Sequence, residues 1–167
     1  SCGGGSVVGV TSITGLSGTT AVTTGGSSDV YAVASSAITA GVHGSGYTVC
    51  WGHNPSANAH YMFEVGTFTL NGPVAENFEC PMTVACSIQL TGTDLANTNN
   101  VKVQGSGTTC STGAAAATGY TGMTLDKQVT NAGGFDVYAL GTASAGVAGS
   151  SLVFCFAYTS NYVFEVG

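Results

Sequence analysis

The strongest constraint on this chain is that it repeats itself. Val22-Thr23 followed by Asp29-Val30-Tyr31-Ala32 returns as Val129-Thr130 followed by Asp136-Val137-Tyr138-Ala139, and Asp29 and Asp136 stand 107 residues apart. Gly41-Val42-His43-Gly44-Ser45 returns as Gly146-Val147-Ala148-Gly149-Ser150, and Cys50 is matched 105 residues on by Cys155. Phe63-Glu64-Val65-Gly66 returns as Phe164-Glu165-Val166-Gly167 at a spacing of 101. The order is kept while the spacing shrinks, as in a tandem duplication with short loop deletions. Copy one begins near Cys2, the match of Cys110, and runs through Asn71-Gly72-Pro73. Copy two begins near Phe78-Glu79-Cys80-Pro81 and reaches Gly167 without a counterpart of residues 67–73. This divides the chain into a module over residues 1–75 that lacks opening strands and one over 76–167 that lacks a closing strand.

Within each copy the period is two. Tyr61, Phe63 and Val65 alternate with Met62 and Glu64, and then the phase flips so that Phe68 and Leu70 alternate with Thr67 and Thr69. A flip at Gly66 predicts a bulge or a bend between sheets. Residues 82–90, Val101-Lys102-Val103, 136–140 and 152–158 are further strands separated by glycine-rich turns. The one helix-like run, Ala114 to Ala117, is too short to stand. Short strands with turn signals between them predict an all-β chain of antiparallel sandwiches, two in tandem with one or both incomplete.

The run Glu79-Cys80 to Cys86-Ser87-Ile88-Gln89-Leu90-Thr91-Gly92-Thr93-Asp94-Leu95 resembles the opening strands of Ig-like modules of the TIG/IPT kind. Tyr47-Thr48-Val49-Cys50-Trp51-Gly52, followed by Phe63-Glu64-Val65-Gly66-Thr67 and Asn71-Gly72-Pro73, is similar to tandem Ig-like repeats of large secreted or surface proteins of unicellular eukaryotes. The resemblance implies an extracellular, multi-module protein and no activity. Copy two departs from it, with Phe156 in place of the tryptophan and no terminal Asn-Gly-Pro.

Cysteine use agrees with that compartment. Cys2, Cys50, Cys80, Cys86, Cys110 and Cys155 are an even set without C-x2-C spacing, which predicts disulfides in an oxidising space rather than a zinc site. Copy one holds only Cys2 and Cys50. If it folds alone these pair, equivalence then assigns Cys110 to Cys155, and Cys80 is left with Cys86. Linkages that cross modules or chains are the alternative. The first residue is Ser and no signal peptide is present, which predicts a processed chain or a window of a longer one.

Charge narrows the function further. Two lysines and no arginine cannot neutralise a run of phosphates or hold an anionic membrane surface, so nucleic acid is excluded as a partner. No apolar run approaches the roughly eighteen residues of a membrane span. His43, His53 and His60 all lie in copy one, and Cys50, His53 and His60 could form a metal site only if Cys50 were reduced. The acidic residues are scattered singly, no nucleophile elbow is present, and Glu64 and Glu165 are equivalent positions, which points to a repeated structural role. The residues therefore predict no enzyme, metal or cofactor. Thr19, Thr20, Thr23, Thr24, Ser27, Ser28, Thr108 and Thr109 read either as strand and turn chemistry or as O-glycosylation sites, whose glycans would hydrate a surface with few charges.

One strand carries two readings. Leu152, Phe154, Phe156 and Tyr158 share a face opposite Val153, Cys155 and Ala157, and Val49 and Trp51 flank Cys50 in the same way. If Cys155 points into the core, Trp51, Phe154, Phe156 and Tyr158 form an assembly interface; otherwise the aromatics fill the core and Cys155 meets a loop cysteine. The uneven cut leaves sheet edges that recruit strands, so the expected function is a structural subunit or segment of an extracellular fibre, appendage or coat. It would be built head-to-tail from Ig-like repeats, with the segments at 1–10 and 162–167 in contact with other modules of the same kind. The alternative is an adhesin or carbohydrate-binding surface module with Trp51 and Tyr61 as stacking platforms. An ice- or mineral-facing protein ranks last, because Thr-x-Thr occurs only at Thr67 and Thr69 and at Thr91 and Thr93.

Overall fold

The computed structural model describes residues 2–3, 13–16, 22–24, 26–32, 38–39, 41–44, 46–111, 113–130 and 135–167. The chain divides into two compact units, Ser1–Leu70 and Asn71–Gly167. Among the described residues the regular structure is strand, with one short 3-10 turn at Asn58–His60, and no helix is long and apolar enough to cross a membrane.

Among its described residues unit 1 holds two antiparallel strand pairs. β1 (Val22–Thr24) pairs with β2 (Val30–Tyr31), and β3 (Gly46–Trp51) pairs with β4 (Phe63–Thr69). Ile13 and Leu70 are buried, and both lie against Gly41, where a Cβ would meet the Leu70 and Ile13 side chains. The Cys2–Cys50 disulfide closes a loop of 48 residues. By chain-entropy reasoning such a loop is worth about 4 kcal/mol.

Unit 2 is a β-sandwich. Its first sheet has the order β5-β6-β10-β8, formed by Gly72–Pro73, Ala85–Thr93, Phe135–Ala145 and Thr121–Met123. The second has the order β12-β11-β7-β9, formed by Phe164–Glu165, Val153–Ala157, Asn100–Gln104 and Asp126–Gln128. Ig-type sandwiches face an ABED sheet with a CFG sheet. Here β5, β6, β10 and β8 take the places of A, B, E and D, and β12, β11 and β7 those of G, F and C. The departure is β9, which follows the D-position strand in sequence yet pairs with β7. Asn71-Gly72-Pro73, expected to end copy one, lies in unit 2, where Gly72 and Pro73 pair with Thr93 and Gly92.

Alternation builds the core. Cys86, Ile88 and Leu90 of β6 point inward while Ala85, Ser87, Gln89 and Thr91 face out. Asp136, Tyr138 and Leu140 of β10 do the same until the register shifts at Gly141, after which Ala143 is the buried residue. Gly141 has φ +99 and lies against the Gly122 carbonyl, so only glycine fits that bulge. Ile88, Leu90, Tyr138 and Leu140 from one sheet meet Val101, Val103, Phe154 and Phe156 from the other in one cluster. Cys155 and Ala157 face the opposite way, into a second cluster with Cys110 and Tyr162. Covered on both sides, β11 reads as a continuous apolar run. Lys102 binds this second cluster to β9: its ammonium lies 3.2 Å from Asp126 and 4.1 Å above the Tyr162 ring. The Tyr162 hydroxyl donates to the other Asp126 oxygen at 2.6 Å.

Candidate assembly surface

The β3–β4 hairpin of unit 1 is the counterpart of β11–β12 in unit 2, in the same register. Cys50 faces Glu64 and Trp51 faces Phe63, just as Cys155 faces Glu165 and Phe156 faces Phe164. The register shift between Val49 and Cys50 pairs Val49 with Gly66 and Cys50 with Glu64, which leaves Val65 as the extra residue of a bulge, at the glycine where the period-two phase flips. In unit 2 Phe154 donates to the Gly167 carbonyl and the Val166 amide donates back to Phe154 at 2.9 Å, so Val166 sits in the same bulge.

The aromatic face of β11 is not an interface. Phe154 and Phe156 are 8 % and 6 % exposed inside the core, covered by the β6–β10 sheet. Cys155 faces the loop cysteine Cys110, the second of the two sequence readings. Tyr158, one residue past β11, is exposed and turns away from that core. Burial wins because a second sheet is available to seal those rings, at about 1.5–3 kcal/mol for a large apolar side chain.

In unit 1 the equivalent face is open. Val49, Phe63 and Val65 are 40 %, 63 % and 61 % exposed, and Met62 beside them is also exposed. Trp51 is half-buried, its ring tilted against Phe63 and His53 at centroid distances of 6.1 and 6.2 Å. Its indole N–H donates to the Tyr31 hydroxyl at 2.9 Å, and that hydroxyl donates to Asp29 at 3.3 Å. Asp29 and Tyr31 repeat in unit 2 as Asp136 and Tyr138, both wholly buried. There Asp136 Oδ2 accepts from Tyr138 at 3.0 Å and from the buried Asn99 amide at 2.7 Å. Burial in the first place, and Asp136 beside it, push the Tyr138 hydroxyl well above the usual tyrosine range. In the sequence Asp-x-Tyr stands out only as a marker of the repeat. Its period-two spacing, which puts both polar groups on one face, was the available signal for a polar contact.

The other sequence-derived positions fall as follows. The disulfides are Cys2–Cys50, Cys80–Cys86 and Cys110–Cys155, the pairs assigned by equivalence. Bonded to Cys2, the Cys50 sulfur is not a thiolate ligand, and His60 Nδ1 accepts from the Ser56 amide at 3.2 Å. Glu64 and Glu165 are both exposed. Ser27, Ser28, Thr108 and Thr109 are exposed, and the Thr108 hydroxyl donates to the Gly105 carbonyl at 2.7 Å. Thr23 and Thr24 lie in β1. Thr19, Thr20 and residues 4–10 lie outside the described residues. Tyr61 is half-buried, and its carbonyl accepts from the Gly3 amide at 2.9 Å. At the far end Tyr162 and Val166 are buried within unit 2 itself.

No family model, no curated protein and no solved structure matches the chain.

Proposed function

We propose that this chain is a structural segment of an extracellular fibre, appendage or coat, assembled head-to-tail from Ig-like repeats of the TIG/IPT kind. The observation that carries the reading is the contrast between the two copies. One is a closed sandwich, and the other presents the same hairpin with its apolar face exposed at Val49, Phe63 and Val65. An open apolar sheet face beside a strand edge that has no partner strand among the described residues is a site for strand addition, and a head-to-tail contact that does not close gives a filament. Three disulfides suit an oxidising, extracellular setting. The exposed Ser27, Ser28 and Thr109 are the places where O-linked glycans would hydrate such a surface. Negative-stain microscopy of native material tests the assembly. Filaments or ordered sheets are expected, and dispersed monomers would overturn the reading.

The tilted pair of half-buried Trp51 and exposed Phe63 favours one second reading, a carbohydrate-binding surface module. A glycan array gives that module a defined sugar ligand and gives a fibre segment none.

A further inference from the structure

In unit 2 two strands close the core over the part of the fold that the chain repeats. β7 lies along β11, with Gln104, Val103, Lys102, Val101 and Asn100 opposite Val153, Phe154, Cys155, Phe156 and Ala157. β6 lies along β10, with Leu90, Gln89 and Ile88 opposite Asp136, Val137 and Tyr138. Asn99, just before β7, supplies the amide that reaches Asp136. Unit 1 contains β2, β3 and β4, the counterparts of β10, β11 and β12, and among the described residues it has no counterpart of β6 or β7.

We propose that the β2–β3–β4 surface of unit 1 is the acceptor for a strand pair of the β6–β7 type carried by another module of this repeat. The inference deepens the assembly reading above by naming the partner and its register. Three features fit one occupant. Among the described residues β3 has β4 as its single strand partner, which leaves its other edge to take the β7-type strand. That strand would set the equivalents of Val103 and Val101 opposite Val49 and Trp51. The apolar face over Val49, Phe63 and Val65 is the face that the opposite sheet seals in unit 2. Asp29, exposed and already held by Tyr31, is where the equivalent of Asn99 would donate. A sugar would use Trp51 and Phe63 but leave the strand edge unpaired. The chain's own β6 and β7 are engaged in unit 2 and are not the pair that unit 1 takes.

A synthetic peptide of residues 82–104 carrying Cys86→Ser, titrated into the intact oxidised chain, tests this directly. Trp51 is the only tryptophan and lies on the proposed surface, so its emission reports occupancy. The expected result is a saturable blue shift of Trp51 together with slowed amide exchange along Gly46–Trp51. A peptide that also carries Asn99→Leu, and separately a chain carrying Asp29→Ala, should each bind on the order of tenfold more weakly, the effect of losing one hydrogen bond to a charged group. Val147→Asp, at an exposed position of unit 2, should change nothing. No shift and no added protection at about 1 mM peptide, where even weak strand addition half-saturates, would overturn the proposal. Binding indifferent to both Asp29→Ala and Asn99→Leu would overturn it equally, as would a Trp51 shift that follows chain concentration or an added sugar instead of the peptide. Filaments in native material without peptide binding would remove this acceptor and leave the assembly reading standing. Peptide binding with dispersed native material would do the reverse.

Discussion

Val65 and Val166 occupy the same place in the same β-bulge, each one residue before a glycine, yet Val65 faces solvent and Val166 is sealed in a core. Tyr31 and Tyr138 differ in the same way, as do Val49 and Phe154. Local sequence is identical around the first two pairs, as Phe-Glu-Val-Gly and Asp-Val-Tyr-Ala, and the hairpin registers agree. The difference comes from β6, which brings Ile88 and Leu90 over the hairpin in unit 2, and from β7, which sets Val101 and Val103 beside it in the same sheet. A hairpin of this sequence therefore forms its register alone, while its burial is set by strands from elsewhere in the chain. Two-stranded ribbons are marginal by themselves. The Cys2–Cys50 disulfide is the feature of unit 1 that compensates, by limiting the unfolded chain.

Matched substitutions can break this comparison. The largest difference is expected at Phe156 and Trp51. Phe156→Ala should remove about 3–5 kcal/mol from unit 2 by opening a core cavity, whereas Trp51→Ala should cost unit 1 less than half of that. Amide exchange resolved by unit would measure both, and equal losses would mean that the two faces are equally enclosed. Next come the aspartates. Asp136→Ala leaves the Asn99 amide and the Tyr138 hydroxyl buried without an acceptor, at about 3 kcal/mol. Asp29→Ala, at an exposed position, should stay within about 0.5 kcal/mol. Urea unfolding followed by Trp51 emission for unit 1 and by amide exchange for unit 2 separates the two.

The valines give a smaller contrast in the same assay. Val166→Ala should cost about 2 kcal/mol, two methylene equivalents plus a small void. Val65→Ala should cost less than about 0.5 kcal/mol. If Val65→Ala proved as damaging as Val166→Ala, unit 1 would have a closed face after all.

The last effect is absent at neutral pH. Burial holds both Tyr138 and Tyr162 in the neutral form, with Asp136 and the hydrogen bond to Asp126 adding to it. Both pKa values are thus raised in the folded state. Their contribution is whole below the ordinary tyrosine value of about 10 and is lost above it, because the unfolded chain releases those protons first. Unit 2 should lose stability from about pH 10 upward, and Tyr138→Phe should flatten that loss. A pH-independent unfolding free energy across this range would show that neither hydroxyl is sealed.

Much of the fold was legible in advance because period-two alternation and duplication are local signals. A strand lies on each of four expected segments, but only β11 stays inside its own: β6 runs on to Thr93, β7 spans Asn100–Gln104 and β10 continues to Ala145. β6 also begins at Ala85 rather than at Met82, because Thr83 turns the chain with φ +67. The short strands β8 and β9, three residues each, carry too little alternation to be read. Part of the candidate surface was legible as well, since Trp51 was singled out. Phe63, Val65 and Asp29 were not, because a residue's exposure depends on what lies over it.

The sequence by itself determined the all-β class, the duplication and the equivalence of cysteines from which the disulfide pairs follow. These properties are written in spacings between neighbours and between matched copies. Only the tertiary structure decided which face of β11 is inside, that Asn99 meets Asp136 across 37 residues, and that the same hairpin is closed in one unit and open in the other. A strand of alternating or wholly apolar residues offers two faces of nearly equal hydrophobicity. Which face is buried depends on where a second sheet arrives from distant residues, and that information is absent from any local window.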